Sequence, residues 1–231
     1  MARHGTTQNI HPNISSKMNE DKTPAPTEAP TDPQIIVLHP YPPATETGRI
    51  LDFAEFRKHS DTIIESGSGG GDGIRQMIRA GYNLIRSVEA KDTYFKTLEH
   101  AFATEMAVQL YFGMSKDKFP EMLADVTTPA VFFLDAHVSG PNGAGHEDYM
   151  EKGNASEYAQ DNCLRAELEI VLAHRNDHVI IIDDQNGENE ENIKYREMCL
   201  AANPSYKFYF YDEHRAGGTF YKNKSLVAIP A

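Results

Sequence analysis

Beyond residue 60 the apolar positions fall into short blocks that alternate between two periods. Val131-Phe132-Phe133-Leu134 and Val179-Ile180-Ile181-Ile182 are uninterrupted and rich in β-branched and aromatic residues, so they predict strands covered on both faces. Other blocks recur at helical spacing. The predicted order is strand 62–65, helix 73–80, strand 83–89, helix 93–104, strand 107–112, helix 118–123 and strand 130–135. After a long loop come helix 161–175, strand 178–183, helix 191–202 and two closing strands, 207–211 and 225–229. Upstream, Ile50, Leu51, Phe53, Ala54 and Phe56 predict a lead-in helix over 47–59. Strict β/α alternation implies a parallel sheet with helices on both faces. The last two strands, joined through Arg215-Ala216-Gly217-Gly218, predict a hairpin with one antiparallel member.

The first strand runs into Glu65-Ser66-Gly67-Ser68-Gly69-Gly70-Gly71-Asp72-Gly73. A glycine-dense turn between strand and helix is where backbone can approach a ligand without Cβ atoms intervening. Glu65, two residues before the first glycine, would repel a diphosphate and suits a ligand bearing an amino group, a positive charge or hydroxyls. Glu89 ends the next strand about 20 residues past the turn, the spacing of an acid that binds ribose hydroxyls. NAD proteins share that second acid, so it does not discriminate by itself.

Glu65-x-Gly67-x-Gly69-x-Gly71 resembles motif I of the class I S-adenosylmethionine-dependent methyltransferases. The resemblance covers roughly residues 60–230. It implies a Rossmann-like α/β fold with a mostly parallel, seven-stranded sheet, a C-terminal antiparallel hairpin and helices on both faces. It also implies S-adenosyl-L-methionine as cofactor, contacted by Glu65, Gly67, Ser68, Gly69, Gly71, Glu89, Asp135 and, near the adenine, Met114. Many relatives carry an acid in a Gly-Asp-Ser sequence after strand three; here the residues are Gly113-Met114-Ser115.

Two later strands end in acids, at Asp135 and at Asp183-Asp184. Strand C-termini of an open parallel sheet gather in one crevice. Carboxylates collected there repel one another and attract a cation, and an all-oxygen set suits Mg²⁺, Mn²⁺ or Ca²⁺ better than zinc. The pattern is similar to metal-dependent O-methyltransferases of the macrocin type, which implies Asp135, Asp183 and Asp184 as metal ligands. It also implies catalysis of methyl transfer to a hydroxyl, with Asp135 in the catalytic centre and His137 as the base by position. The spacing from acid to His differs slightly from the macrocin type. Loop 138–160, with Gly140, Gly143, Gly145, His146 and Tyr149, is longer than a compact domain needs and reads as a substrate lid.

Asn203-Pro204-Ser205-Tyr206 resembles an amino-group methyltransferase motif but lies before strand six, where it predicts only a helix stop. Asp135-Ala136-His137 also resembles part of an arginase-type metal motif, without its following acid. A methyltransferase fold kept as a non-catalytic binding module is the other alternative.

Residues 1–45 are polar and Pro-rich and predict a disordered arm ahead of a domain over 46–231. The arm lacks the apolar core of a secretory signal, and no run reaches the length of a membrane span. A net charge of −12 disfavours phosphate backbones, so the expected partner is a small-molecule acceptor, not nucleic acid or membrane. Cys163 and Cys199 lie in predicted helices and read as buried thiols of a cytoplasmic protein. Homo-oligomerisation is left open.

Overall fold

The computed structural model describes residues 42–136, 160–214 and 218–231. Residues 1–41 of the expected arm, His137 and the expected lid up to residue 159 lie outside the described residues. The strands are β1 (Thr45–Ile50), β2 (Thr62–Ser66), β3 (Leu84–Glu89), β4 (Val108–Phe112), β5 (Val131–Leu134), β6 (Val179–Ile182), β7 (Lys207–His214) and β8 (Phe220–Ile229). Between them lie α1 (Asp72–Ala80), α2 (Asp92–Ala101), α3 (Ser115–Leu123), α4 (Gln160–His174) and α5 (Glu190–Ala202).

One sheet contains all of these strands in the order β1-β7-β8-β6-β5-β2-β3-β4. Its neighbours are parallel except where β8 runs antiparallel to both β6 and β7. This is the Rossmann-like methyltransferase architecture predicted, with eight strands instead of seven.

The extra strand corrects the lead-in helix. Thr45–Ile50 pairs in parallel with β7, and only Phe53–Lys58 is helical, as a 3₁₀ turn. Gly48 sits at φ 61, a conformation that ends any helix, and Thr47 Oγ1 donates to the Phe210 carbonyl at 2.8 Å. Asp52 then caps the short helix by accepting from Ala54 N at 2.9 Å. The apolar spacing was informative only for Phe53 and Phe56, which are buried.

Side-chain alternation along each strand feeds two cores. Ile63, Ile85, Val131, Phe133 and Ile181 pack on one face against Phe53, Phe56, Ile74, Met77 and Leu98. Ile64, Val88, Phe132, Leu134 and Ile182 pack on the other against Phe119, Met122, Leu168, Val171 and Tyr195. β2 therefore ends with Glu65 turned to the α1 side and Ser66 turned to the α4 side. That parity decides which partners each can reach.

The closing hairpin is longer than predicted and irregular. Tyr211 pairs with Ser225, but the next pair is Glu213 with Tyr221, so β8 carries extra residues at Lys222–Lys224. Asn223 takes φ 53 there, and its amide donates to Asp212 Oδ1 at 2.7 Å.

Candidate functional site

The ends of β2, β3 and β5 meet at the glycine turn. Gly67, Gly69 and Gly71 all have positive φ, of 81, 50 and 81°. The turn is fastened to β3: Gly67 N and Ser68 N both donate to the Val88 carbonyl, at 3.0 and 3.2 Å. A Cβ on Gly67 would lie 2.7 Å from the Asp135 carbonyl oxygen, so this glycine is what lets the turn sit against the end of β5. A Cβ on Gly69 would meet nothing within 4 Å; that part of the turn faces open space.

Glu89 is buried and holds the turn directly. Its Oε2 accepts from Gly69 N at 2.8 Å and its Oε1 from Lys91 N at 2.7 Å. Sequence spacing alone placed this acid opposite the turn; the structure gives it a hydrogen bond to the turn's backbone.

Glu65 is deeper than the sequence reading placed it. It is 1% exposed, and the space beside its Oε1 exists because residue 73 is glycine: a Cβ there would be 2.0 Å away. Its Oε2 accepts from Ser87 Oγ, which also lies 2.5 Å from Ser68 Oγ. Burial pushes the Glu65 carboxyl up to about 8; the Ser87 hydrogen bond opposes this, while Asp135 and Glu89 push it further.

Ser66, on the opposite face, donates to Glu167 Oε2 at 2.9 Å. Glu167, from α4, is fully buried and also accepts from Ser115 Oγ at the start of α3 and from Cys163 Sγ. Burial raises its carboxyl to about 7 despite the Ser115 and Ser66 hydrogen bonds. Asp135 N donates to the Ser66 carbonyl at 3.1 Å, so the same strand end carries Glu65, Ser66 and the approach to Asp135. Met114 is half-buried just before α3, and Gly113 N donates to the Glu89 carbonyl at 3.0 Å. This places Met114 beside the end of β3.

The structure also brings the three aspartates together. One carboxylate oxygen from each of Asp135, Asp183 and Asp184 lies within 4.8 Å of the others. Consecutive residues of an extended strand face opposite ways, so adjacent Asp183 and Asp184 could not share a site on a straight β6. Asp184 has φ 59, and this left-handed turn lets both acids serve one cluster. Asp183 Oδ1 accepts from Ser225 Oγ at 2.8 Å. Asp184 pairs with the ammonium of Lys224, which is buried.

Lys224 and Glu167 were missed by sequence reasoning. Glu167 had a signal: it occupies the apolar stripe of α4 between Leu164, Leu168 and Val171. Lys224 had a weaker one, as a charged residue directly before the apolar run Leu226-Val227-Ala228-Ile229. The other acids of the site, Glu65, Glu89, Asp135, Asp183 and Asp184, were singled out from sequence, whereas Ser87 and Ser225, which bond to two of them, were not; the expected base His137 lies outside the described residues.

No family model matches this chain, and no curated protein matches it. Among solved structures, an O-methyltransferase from Bacillus cereus in complex with SAH matches at 17% identity over 75% of this chain and 76% of that one, with a TM-score of 0.48. An rRNA methylase from Streptococcus thermophilus matches at 10% identity over 77% and 90% of the two chains, at 0.43. The Methanococcus jannaschii fibrillarin pre-rRNA processing protein matches at 13% identity over 74% and 67%, at 0.42. Superpositions this loose decide nothing about chemistry, which rests on the residues of the site.

Two further expectations are also answered. Asn203 does end a helix: its amide donates to the Cys199 carbonyl at 2.8 Å and its Oδ1 accepts from Ser205 N at 3.0 Å. Cys163 and Cys199 are free thiols; Cys199 is buried as expected, whereas Cys163 is only partly buried, and burial pushes both up to about 12. Among the described residues, no helix is long and apolar enough to cross a membrane.

Proposed function

We propose that this chain is an S-adenosylmethionine-dependent methyltransferase that methylates a hydroxyl of a small, sugar-like acceptor, with a divalent cation such as Mg²⁺ at the aspartate trio. One observation carries the reading. A left-handed glycine turn is hydrogen-bonded to the acid that ends β3, Gly69 N to Glu89, and at Gly67 it packs against the Asp135 backbone just past β5. Its open segment at Gly69 fits a ligand laid along the turn, and the chemistry of the wall selects which ligand.

The wall is acidic. The electrostatic neighbours that raise Glu65 are Asp135 and Glu89, both carboxylates. Such a crevice repels a diphosphate and rewards a cation, which fits a nucleoside bearing an ammonium and a sulfonium. Glu65, Gly67, Ser68, Gly69, Gly71, Glu89, Met114 and Asp135 would hold the cofactor. When bound, the cofactor supplies an electrophilic methyl group. Glu89 is oriented by two backbone amides, which leaves lone pairs on both oxygens for ribose hydroxyls.

Asp135, Asp183 and Asp184 fit a hard divalent ion by donor type and mutual distance. A cation there would acidify and orient the acceptor hydroxyl. His137, two residues past Asp135, is the proposed base that takes the hydroxyl proton. The acidity of the chain supports a small-molecule acceptor over nucleic acid.

Calorimetric titration with S-adenosylmethionine, with and without Mg²⁺, tests the reading. Saturable binding is expected. Absence of binding at millimolar cofactor under both conditions would defeat it.

A further inference from the structure

Resting on the cation reading of the aspartate trio, we propose that Lys224 is a tethered competitor for that trio. A divalent ion would then bind this protein by displacing the lysine from Asp184. The lysine is not a surface chain that wandered in. It is 4% exposed, and its ammonium is paired with Asp184, one of the three aspartates whose oxygens converge. In the same position its Nζ lies 5.4 Å from the centroid of the Tyr221 ring, a cation–π contact on the same strand.

The backbone aims it. The irregular pairing of β8 with β7 begins beside Lys224, and Asn223, at φ 53, donates its backbone N–H to Asp212 Oδ1. The Lys224 carbonyl accepts from Gln185 N at 2.8 Å, and the Asn223 carbonyl accepts from Gly187 N at 2.8 Å. The loop that carries Asp184 and the bulge that carries Lys224 are therefore one stitched unit.

Charge makes the competition necessary. The four side chains are three carboxylates against one ammonium, an excess of acid that favours a dication. An ammonium and a dication sharing Asp184 would repel one another strongly in a partly buried site. One must move. The lysine can, because it is on a flexible stem; Asp184 is set by the left-handed turn and Asp183 by Ser225.

Calorimetric titration of Mn²⁺ into the full chain and into Lys224→Met, each checked for S-adenosylmethionine binding, tests this. The variant should bind Mn²⁺ more tightly, by about tenfold or more, since one unit of repelling charge is gone. Lys224→Arg, which keeps the charge, should gain nothing. Equal or weaker Mn²⁺ binding by Lys224→Met, with measurable binding by the wild type, overturns the competition and leaves the metal site standing. No Mn²⁺ binding by either protein, with S-adenosylmethionine still bound, overturns the metal site and the competition together. Should Lys224→Met not fold, the wild type answers alone through acylation of Lys224 by an N-hydroxysuccinimide ester, read by mass spectrometry. Acylation should rise when Mn²⁺ binds and stay flat with NaCl of equal ionic strength. Unchanged acylation while calorimetry records Mn²⁺ binding overturns the proposal.

Discussion

At the β2–β3 end of the crevice, Glu65 and Glu89 are held by backbone amides and a serine hydroxyl from nearby strand ends and the glycine turn. At the β5–β6 end, Asp183 and Asp184 are held by Ser225 and Lys224 of β8, the antiparallel neighbour of β6 that lies far along the chain. Both ends crowd acids together. The first satisfies their hydrogen bonds with neutral dipoles and supplies no counter-charge; the second answers charge with charge. A dipole fixed in the backbone cannot leave, whereas a lysine can. The first end is suited to a permanent cradle for a cationic nucleoside, and the second to an exchangeable cation.

The sharpest way to break this contrast is at the cradle. Gly67→Ala adds a Cβ 2.7 Å from the Asp135 carbonyl oxygen at φ 81. The left-handed conformation costs about 1–2 kcal/mol and the overlap about 1–3 kcal/mol more. Denaturant unfolding should show that loss, and S-adenosylmethionine binding should disappear. Gly69→Ala at φ 50 meets no atom within 4 Å, so only the conformational cost of about 1–2 kcal/mol should appear. Equal losses at the two glycines would contradict the close approach of turn and β5.

At the other end, Asp184→Ala should lower turnover by at least about 100-fold while S-adenosylmethionine binding persists. Binding and turnover lost together would mean that the two ends do not act separately. A protein with no turnover to lose would be a binding module.

A smaller effect concerns pH. Glu65 and Glu167 are raised in the folded state from 4.5 to about 8 and about 7. The folded protein thus binds protons more tightly than the unfolded chain over that interval. Their contribution to stability is full below about 4.5 and is lost as pH rises through 7 and 8. Urea midpoints should fall between pH 5.5 and 8.5 for the wild type, and fall less for Glu167→Gln, whatever that substitution costs overall. An unchanged slope would show that Glu167 is not protonated in the folded protein.

The smallest effect is a control. Lys96 pairs with Asp92 on the exposed face of α2, an ion pair of the same chemistry as Lys224 with Asp184 but solvated. Lys96→Ala should stay within about 0.5 kcal/mol of wild type and leave Mn²⁺ affinity unchanged. A change in Mn²⁺ affinity there would point to a general field of the acidic chain instead of a contact at the trio.

Much of the site was legible because its signals are local. Glu65, the glycines and Glu89 lie within one β-α-β unit, so spacing alone puts them together. The strand-end acids Asp135 and Asp183 were readable for a similar reason: runs such as Val131–Leu134 and Val179–Ile182 stop where the acid begins. The lead-in was misread because Ile50 and Leu51 continue the apolar spacing of Phe53 and Phe56. Only the edge of β7, some 160 residues away, offers Thr45–Ile50 a partner. Glu167 hid inside a helix whose stripe is otherwise apolar.

The order of blocks in the chain fixed the alternating architecture, the glycine turn and the acids facing it, since each depends on neighbours a few residues apart. The tertiary structure decided how those acids are neutralised. Strand parity turned Glu65 and Ser66 to opposite faces, burial raised Glu65 and Glu167, and a bulge in β8 delivered Lys224 to Asp184. Charge compensation acts through space, and the separation of Asp184 from Lys224 along the chain says nothing about their contact.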